Sequence, residues 1–175
     1  YKTVCRASGE ASFQYIVKGI ELAMARQVDG VVTGPINKEA INLAGHHYSG
    51  HTEIFAEYTH TQNYGMLLLS KTLRVIHVTT HMSMRNACDL IRENPDRVAW
   101  AIRLAQEAME QLGIEHPRIA VAGLNAHSSE NGLFGDEEAR SIIPAIAQCR
   151  AQGIDADGPV PPDTVFVKAM AGQYD

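Results

Sequence analysis

The sequence predicts an α/β fold, a mostly parallel sheet with flanking helices, and three observations predict it. Short aliphatic or β-branched runs of strand length alternate with longer segments of helical apolar period. The runs are bounded by Gly, Pro, Asn and other turn-forming residues. Polar clusters gather where the strands should stop, and open α/β sheets bind ligands at the carboxyl ends of their strands.

The elements follow in order. Residues 11–26, "ASFQYIVKGIELAMAR", place Phe13, Ile16, Val17, Ile20 and Met24 on one helical stripe. "DGVVTGP" then predicts a buried strand over 30–33, ended by Gly34 and Pro35. "INKEAINLAG" predicts a short helix closed by Gly45, and "HTEIFAEYTH" a second with Glu53 in its first turn, where the helix dipole favours negative charge. "GMLLLS" and "LRVIHVTT", separated by "KT", predict two strands that can pair. "SMRNACDLIREN" leads to the cap signature Asn94-Pro95. The next helix carries Val98, Ala101, Ile102, Ala105, Met109 and Leu112 on its apolar side and ends at Gly113. "RIAVAGLN" predicts a buried strand, "AHSSENGLFG" a polar loop, and "DEEARSIIPAIAQCRAQG" a helix kinked at Pro144. "DGPVPPDTVF" is expected to be extended, because its three prolines disfavour helix.

Composition narrows the class. At 175 residues, 45% apolar and 20% charged, the chain suits one ordinary globular domain. A formal charge of −5, with Lys and Arg scattered, gives no pull toward nucleic acid. No apolar run approaches a membrane span, and no leader pattern opens the chain, so neither membrane nor export is expected. Cys5, Cys88 and Cys149 are odd in number and far apart, which argues against a disulfide framework and for a cytoplasmic location. The absence of GxGxxG, GxxxxGK[ST] and GxSxG argues against a Rossmann dinucleotide site, a P-loop and a nucleophile elbow.

Four polar clusters remain: "TGPINK", "TTH", "LNAHSSENG" and "SGHTE". His81 and His127 each fall just past a strand, and two neutral imidazoles there can converge on a divalent metal. Each alone reads as readily as a loop residue, and two ligands require a third; His51, Asp163 and Glu130 are the candidates within the chain. His77 lies four residues before His81, about 13 Å along an extended strand, and is read as structural. His46, His47 and His116 are read as surface residues. His51 and Thr52 open a helix, where free backbone N–H groups favour an anion such as phosphate or carboxylate; an ordinary helix start is the plain alternative. Lys38 can serve as a phosphate-binding or acid lysine, or be simply solvated. Asp163 follows two prolines, a rigid mount for a catalytic or ligand carboxylate, or equally a turn residue.

At these clusters the sequence resembles the 4-hydroxythreonine-4-phosphate dehydrogenases of pyridoxal phosphate synthesis and their sugar-acid relatives. The resemblance is carried by "VTGPINKEAINLAG", "SGHTEIFAE", "TTHMSMR", "GLNAHSSENGLFGDEE" and "GPVPPDTVF", in family order over roughly residues 30 to 166. It implies a fold like the isocitrate and isopropylmalate dehydrogenases, whose NAD site is not a Rossmann motif. It implies His81 and His127 as divalent-metal ligands (Zn, Mg or Co), His51 and Thr52 as substrate contacts near the phosphate, and Asp163 as an active-site aspartate; Lys38 is a catalytic candidate from its place in "TGPINK" alone. NAD or NADP is the implied cofactor, a small phosphorylated hydroxy acid the substrate, and a homodimer with a shared active site the assembly.

The resemblance also implies that the chain is the middle of a two-domain subunit, with 1–44 partly in an outer domain and 45–175 in a central, dimerising one. The family's third metal ligand lies in a "YHDQG"-like block after a "YD" resembling Tyr174-Asp175, where this chain stops. A fragment that only folds and dimerises is therefore one alternative. A metal-dependent hydrolase or lyase without NAD is another. Ala126 stands where the family usually has Pro, which loosens that loop. "HSSENGLFG", "TEIFAEYT" and "GPVPPDTVF" look closer to the branch that oxidises 4-phosphorylated threonate or erythronate.

Overall fold

The computed structural model describes residues 3–175; Tyr1 and Lys2, part of the expected outer-domain segment, lie outside the described residues. The chain folds as two compact units, Tyr1–Tyr64 and Gly65–Asp175.

The first unit is helical: α1 (Arg6–Met24), α2 (Lys38–Leu43) and α3 (His51–Tyr58). Phe13, Ile16 and Ile20 of α1 bury against Ile54 of α3, as the predicted stripe requires. Met24, at the end of that stripe, is exposed. α1 and α2 approach so closely that a Cβ on Gly9 would overlap the Ala40 carbonyl. The expected strand over 30–33 does not form: this stretch has no strand partner, and Val32 is fully exposed. Three β-branched residues, Val31, Val32 and Thr33, make a strand only when a sheet receives them. His46 is a second correction. Its ring stacks on Phe13 at 3.6 Å between centroids, and its Nε2 lies 2.8 Å from Glu10 Oε2, so it is part of the packing.

The second unit holds both strand pairs. β1 (Leu67–Leu69) and β2 (Arg74–Ile76) are antiparallel, whereas β3 (Ile119–Ala122) and β4 (Ala156–Val160) are parallel. The mostly parallel expectation thus holds for one pair of the two. The connection from Leu69 to Arg74 is far too short for the crossover that parallel strands need. Between β2 and β3 lie α4 (Met84–Glu93), capped by Ser83, and α5 (Asp96–Gln111). The predicted α5 stripe is buried except Leu112, which lies just past the helix. Between β3 and β4 run a left-handed turn (Ala126–Gly132), a wide π-helical turn (Glu138–Ile142) and α6 (Ile143–Ala151). The wide turn precedes Pro144, which has no N–H to return to the Arg140 carbonyl. The expected extended segment "DGPVPPDTVF" is only half extended. α7 (Pro162–Met170) begins at its third proline, because proline suits the first helical position. No helix among the described residues is long and apolar enough to cross a membrane.

The core of this unit joins Ile91, Val98, Ile102, Val121, Ile146 and Cys149. One charged group sits within it. Glu138 is 2% exposed, and its Oε1 accepts the backbone N–H groups of Leu124 (2.9 Å) and Asn125 (2.7 Å). Its Oε2 accepts from the Asn125 side-chain amide at 2.9 Å, an amide shared with Glu137. Burial alone pushes the Glu138 carboxyl up. The donors from Asn125 and Leu124 outweigh it, and the group ends below the usual carboxylate range. This carboxylate ties the end of β3 to the wide turn.

Two outcomes are expected. Gly9→Ala destabilises the first unit by about 1–3 kcal/mol in a chemical denaturation, since backbone must move to admit the methyl. Glu138→Gln lowers stability at pH 7. Because the depressed carboxyl gives its stability above the unfolded value and loses it as pH falls through the folded one, the gap to the parent closes below about pH 4. Melting the two proteins across pH 3–7 checks it; a constant gap would contradict the account.

Candidate functional site

The sites suggested by the sequence fall in both units. In the first, Lys38 is the exposed first residue of α2, whose cap is Asn37: its side chain accepts the Ala40 N–H at 2.8 Å. His51 and Thr52 open α3, and Gly50 before them offers no side-chain cap, so the helix start keeps unclaimed N–H groups. His51 Nε2 and Glu53 Oε2 are buried without a hydrogen-bond partner within the protein. A buried polar atom left so is costly unless something outside the chain completes it. The His51 imidazole can donate to an anion, but the Glu53 carboxylate beside it opposes one, so the pair does not separate the anion reading of "SGHTE" from an ordinary helix start.

In the second unit His81 lies exposed in the loop between β2 and α4, on left-handed backbone with φ 53°. His127 follows β3 and also has left-handed backbone, φ 52°, the first of five consecutive non-glycine residues so disposed through Asn131. A left-handed residue with a Cβ costs about 1–2 kcal/mol. Outside these two loops, the other non-glycine cases among the described residues are Arg26 and His60, just past the ends of α1 and α3, where such conformations are ordinary. The left-handed backbone is therefore concentrated in the loop that His127 opens. Such concentration is characteristic of binding and catalytic loops.

The 127–131 turn folds back over the end of β3, where Gly123 makes room: a Cβ there would stand 2.9 Å from Ser128 Cα. It brings His127 to Asp163, with Nδ1 and Oδ2 3.4 Å apart and both side chains more than half exposed. Asp163 reaches this place because α7 starts at Pro162 and puts it in the helix's first turn. The hollow under the turn is lined by His127, Glu130, Asp136, Glu138 and Pro161. Three carboxylates make it a poor seat for phosphate. His77 is not part of the site; its Nδ1–H donates to the Met66 carbonyl at 3.3 Å, a strand-pairing role.

Sequence reasoning missed Glu138 and Asn125, which hold the His127 loop. Glu138 was absorbed into a helix start rich in acid, "DEEAR". The signal lay in its spacing: it stands four and eight residues before Ile142 and Ile146, on the stripe that is buried. A carboxylate on an apolar stripe needs donors, and the nearest lie in the loop after β3.

A divalent ion would find suitable donors in kind, since neutral imidazoles ligate such metals. Their number falls short: among the described residues no group of three or more His, Cys, Asp or Glu could hold a metal ion.

Comparison with known proteins places the chain. The family model described as pyridoxal phosphate biosynthetic protein PdxA matches residues 1–175. A D-threonate 4-phosphate dehydrogenase from Pectobacterium atrosepticum is 47% identical over 96% of this chain and 51% of its own length. A 4-hydroxythreonine-4-phosphate dehydrogenase from Beijerinckia indica is 50% identical over 98% of this chain and 50% of its own. The crystal structure of a 4-hydroxythreonine-4-phosphate dehydrogenase from Klebsiella pneumoniae superposes with a TM-score of 0.90 at 46% identity, covering 99% of this chain and 53% of that one. The chain thus spans about half the length of the relatives it matches. The α/β fold with its parallel strands matches theirs, and the chain belongs to the PdxA family.

Proposed function

We propose that the protein carrying this chain is an NAD(P)-dependent, divalent-metal-dependent dehydrogenase of a 4-phosphorylated hydroxy acid. Its substrate is D-threonate or D-erythronate 4-phosphate, or 4-phosphohydroxy-L-threonine. In that reaction the carbon bearing the hydroxyl β to the carboxylate would give up a hydride to the nicotinamide, the hydroxyl would give its proton to a base, and the resulting β-keto acid would lose CO₂. The observation that carries this reading is the pairing of His127 with Asp163 on a strained loop, within a chain whose relatives bear those dehydrogenase names.

Each residue then has a task. His81 and His127 would hold the metal, with the remaining ligands coming from outside the described residues. When bound, the metal supplies a Lewis acid that lowers the pKa of the substrate hydroxyl and stabilises negative charge during decarboxylation. Asp163 faces Nδ1 of His127 and thereby favours the tautomer that leaves Nε2 free to ligate. His51 and Thr52 take the phosphate end, where the N-terminus of α3 favours an anion. Lys38, exposed on α2, is the candidate for proton transfer or a further phosphate contact. The isocitrate-dehydrogenase-like cofactor site and the shared active site of a homodimer follow from the same family reading.

The substrate branch rests on "HSSENGLFG", "TEIFAEYT" and "GPVPPDTVF", which favour the threonate or erythronate side. Whole-chain identity to the two named relatives is nearly equal and does not separate them.

In the full-length protein, NADH or NADPH formation is expected with D-threonate 4-phosphate and a divalent metal. Absence of turnover on both phosphorylated acids with both nucleotides would sink the proposal. His127→Ala is expected to abolish detectable metal binding in calorimetry, while Asp163→Asn weakens it by about 10–100-fold. Metal affinity unchanged in both variants would remove these residues from the site.

A further inference from the structure

The His81 loop leaves β2 as the His127 loop leaves β3, but a different side chain holds its root. Residues 79–83 separate Val78 from the start of α4 at Met84, and His81 stands in the middle of them on left-handed backbone. The far end of this segment is fixed by Ser83, whose hydroxyl accepts the Asn86 N–H at 3.2 Å as the cap of α4. The near end is fixed twice. His77 donates its backbone N–H to the Met66 carbonyl at 3.1 Å. One residue on, the Arg97 Nε–H donates to the Val78 carbonyl at 2.9 Å. That carbonyl lies past the end of β2, where no ladder receives it.

Arg97 is an unusual residue for its own helix. It is the second residue of α5, in the first turn, where the helix dipole disfavours a cation. Its guanidinium lies on the face of Trp100, three residues on, with Cζ 3.9 Å from the ring centroid. A planar group laid on a ring is held in one orientation. The Nε–H is therefore aimed at the Val78 carbonyl rather than swept through solvent. Val78 itself packs against the core of this unit, so the anchored peptide is fixed by its side chain as well as by its oxygen.

We propose that Arg97 is a positioning residue for His81: its bond to the Val78 carbonyl, aligned by Trp100, fixes the root of the loop and with it the place of the imidazole. This inference rests on the reading of His81 as a metal ligand and deepens it. Arg97 acts through the backbone, and no contact with metal or substrate is assigned to it. A ligand must be held to within about half an ångström, and a short tether from strand to ligand achieves that only where its root does not move. The two histidine loops are then anchored by devices of opposite polarity. At the end of β3 the Glu138 carboxylate takes two backbone N–H groups, and at the end of β2 the Arg97 guanidinium supplies a donor to a backbone carbonyl.

Two substitutions separate the bond from the charge. Arg97→Met places a methyl where Nε stood, whereas Arg97→Gln places an amide N–H there. Both forfeit the guanidinium and its stacking on Trp100, so a general loss of stability is common to them. In calorimetric titrations of the full-length protein with Co²⁺, Arg97→Met is expected to bind about tenfold more weakly and Arg97→Gln within about threefold of the parent. In metal-free protein labelled at the histidine rings, NMR is expected to show the His81 signal displaced or broadened by Arg97→Met and restored by Arg97→Gln, with the His127 signal unmoved. Where Arg97→Met does not fold, Arg97→Ala takes its place with the same expectation. His81→Ala separates this inference from the reading beneath it. If His81→Ala abolishes Co²⁺ binding while Arg97→Met binds as the parent does, Arg97 has no positioning role. If His81→Ala itself binds as the parent does, the ligand reading and the proposal fall together. Equal losses in the Met and Gln variants, or a loss with the His81 signal unmoved, also overturn the proposal.

Discussion

Glu138 is a carboxylate within an apolar core, tolerable there only because the end of β3 offers it three donors. The dependence runs both ways. The Leu124 and Asn125 N–H groups lie where the chain has left β3 and not yet entered another regular element, so they would otherwise be orphaned. Satisfying them with one rigid acceptor fixes the direction in which the chain leaves the sheet. The left-handed run from His127 begins two residues later, and its conformational cost is sustained because its root cannot swing. Ala126, between them, supplies no such restraint of its own, which leaves the buried carboxylate as the main one.

That chain of dependence explains which parts of the molecule were legible in the sequence. α5 was legible because burial on one helical face writes a period into the residues, and Val98, Ala101, Ile102, Ala105 and Met109 all obey it. The pairing of "MLLLS" with "LRVIH" was legible for the same kind of reason, through short runs and a short link. The strand expected over 30–33 failed because a strand is a property of two segments, and its partner is not written beside it. α7 was misread because proline carries opposite meanings in the interior and in the first turn of a helix.

The candidate site was half legible. His81 and His127 stood out because histidines beyond strand ends are few and the topology brings strand ends together. The contact of His127 with Asp163 could not be read from residue type, since it depends on where α7 begins. Glu138 was hidden more deeply. Its neighbours Asp136 and Glu137 make an acidic helix start that is ordinary by dipole arguments, and only its register with Ile142 and Ile146 sets it apart. A charged residue on a buried stripe marks the place where a backbone elsewhere lacks partners.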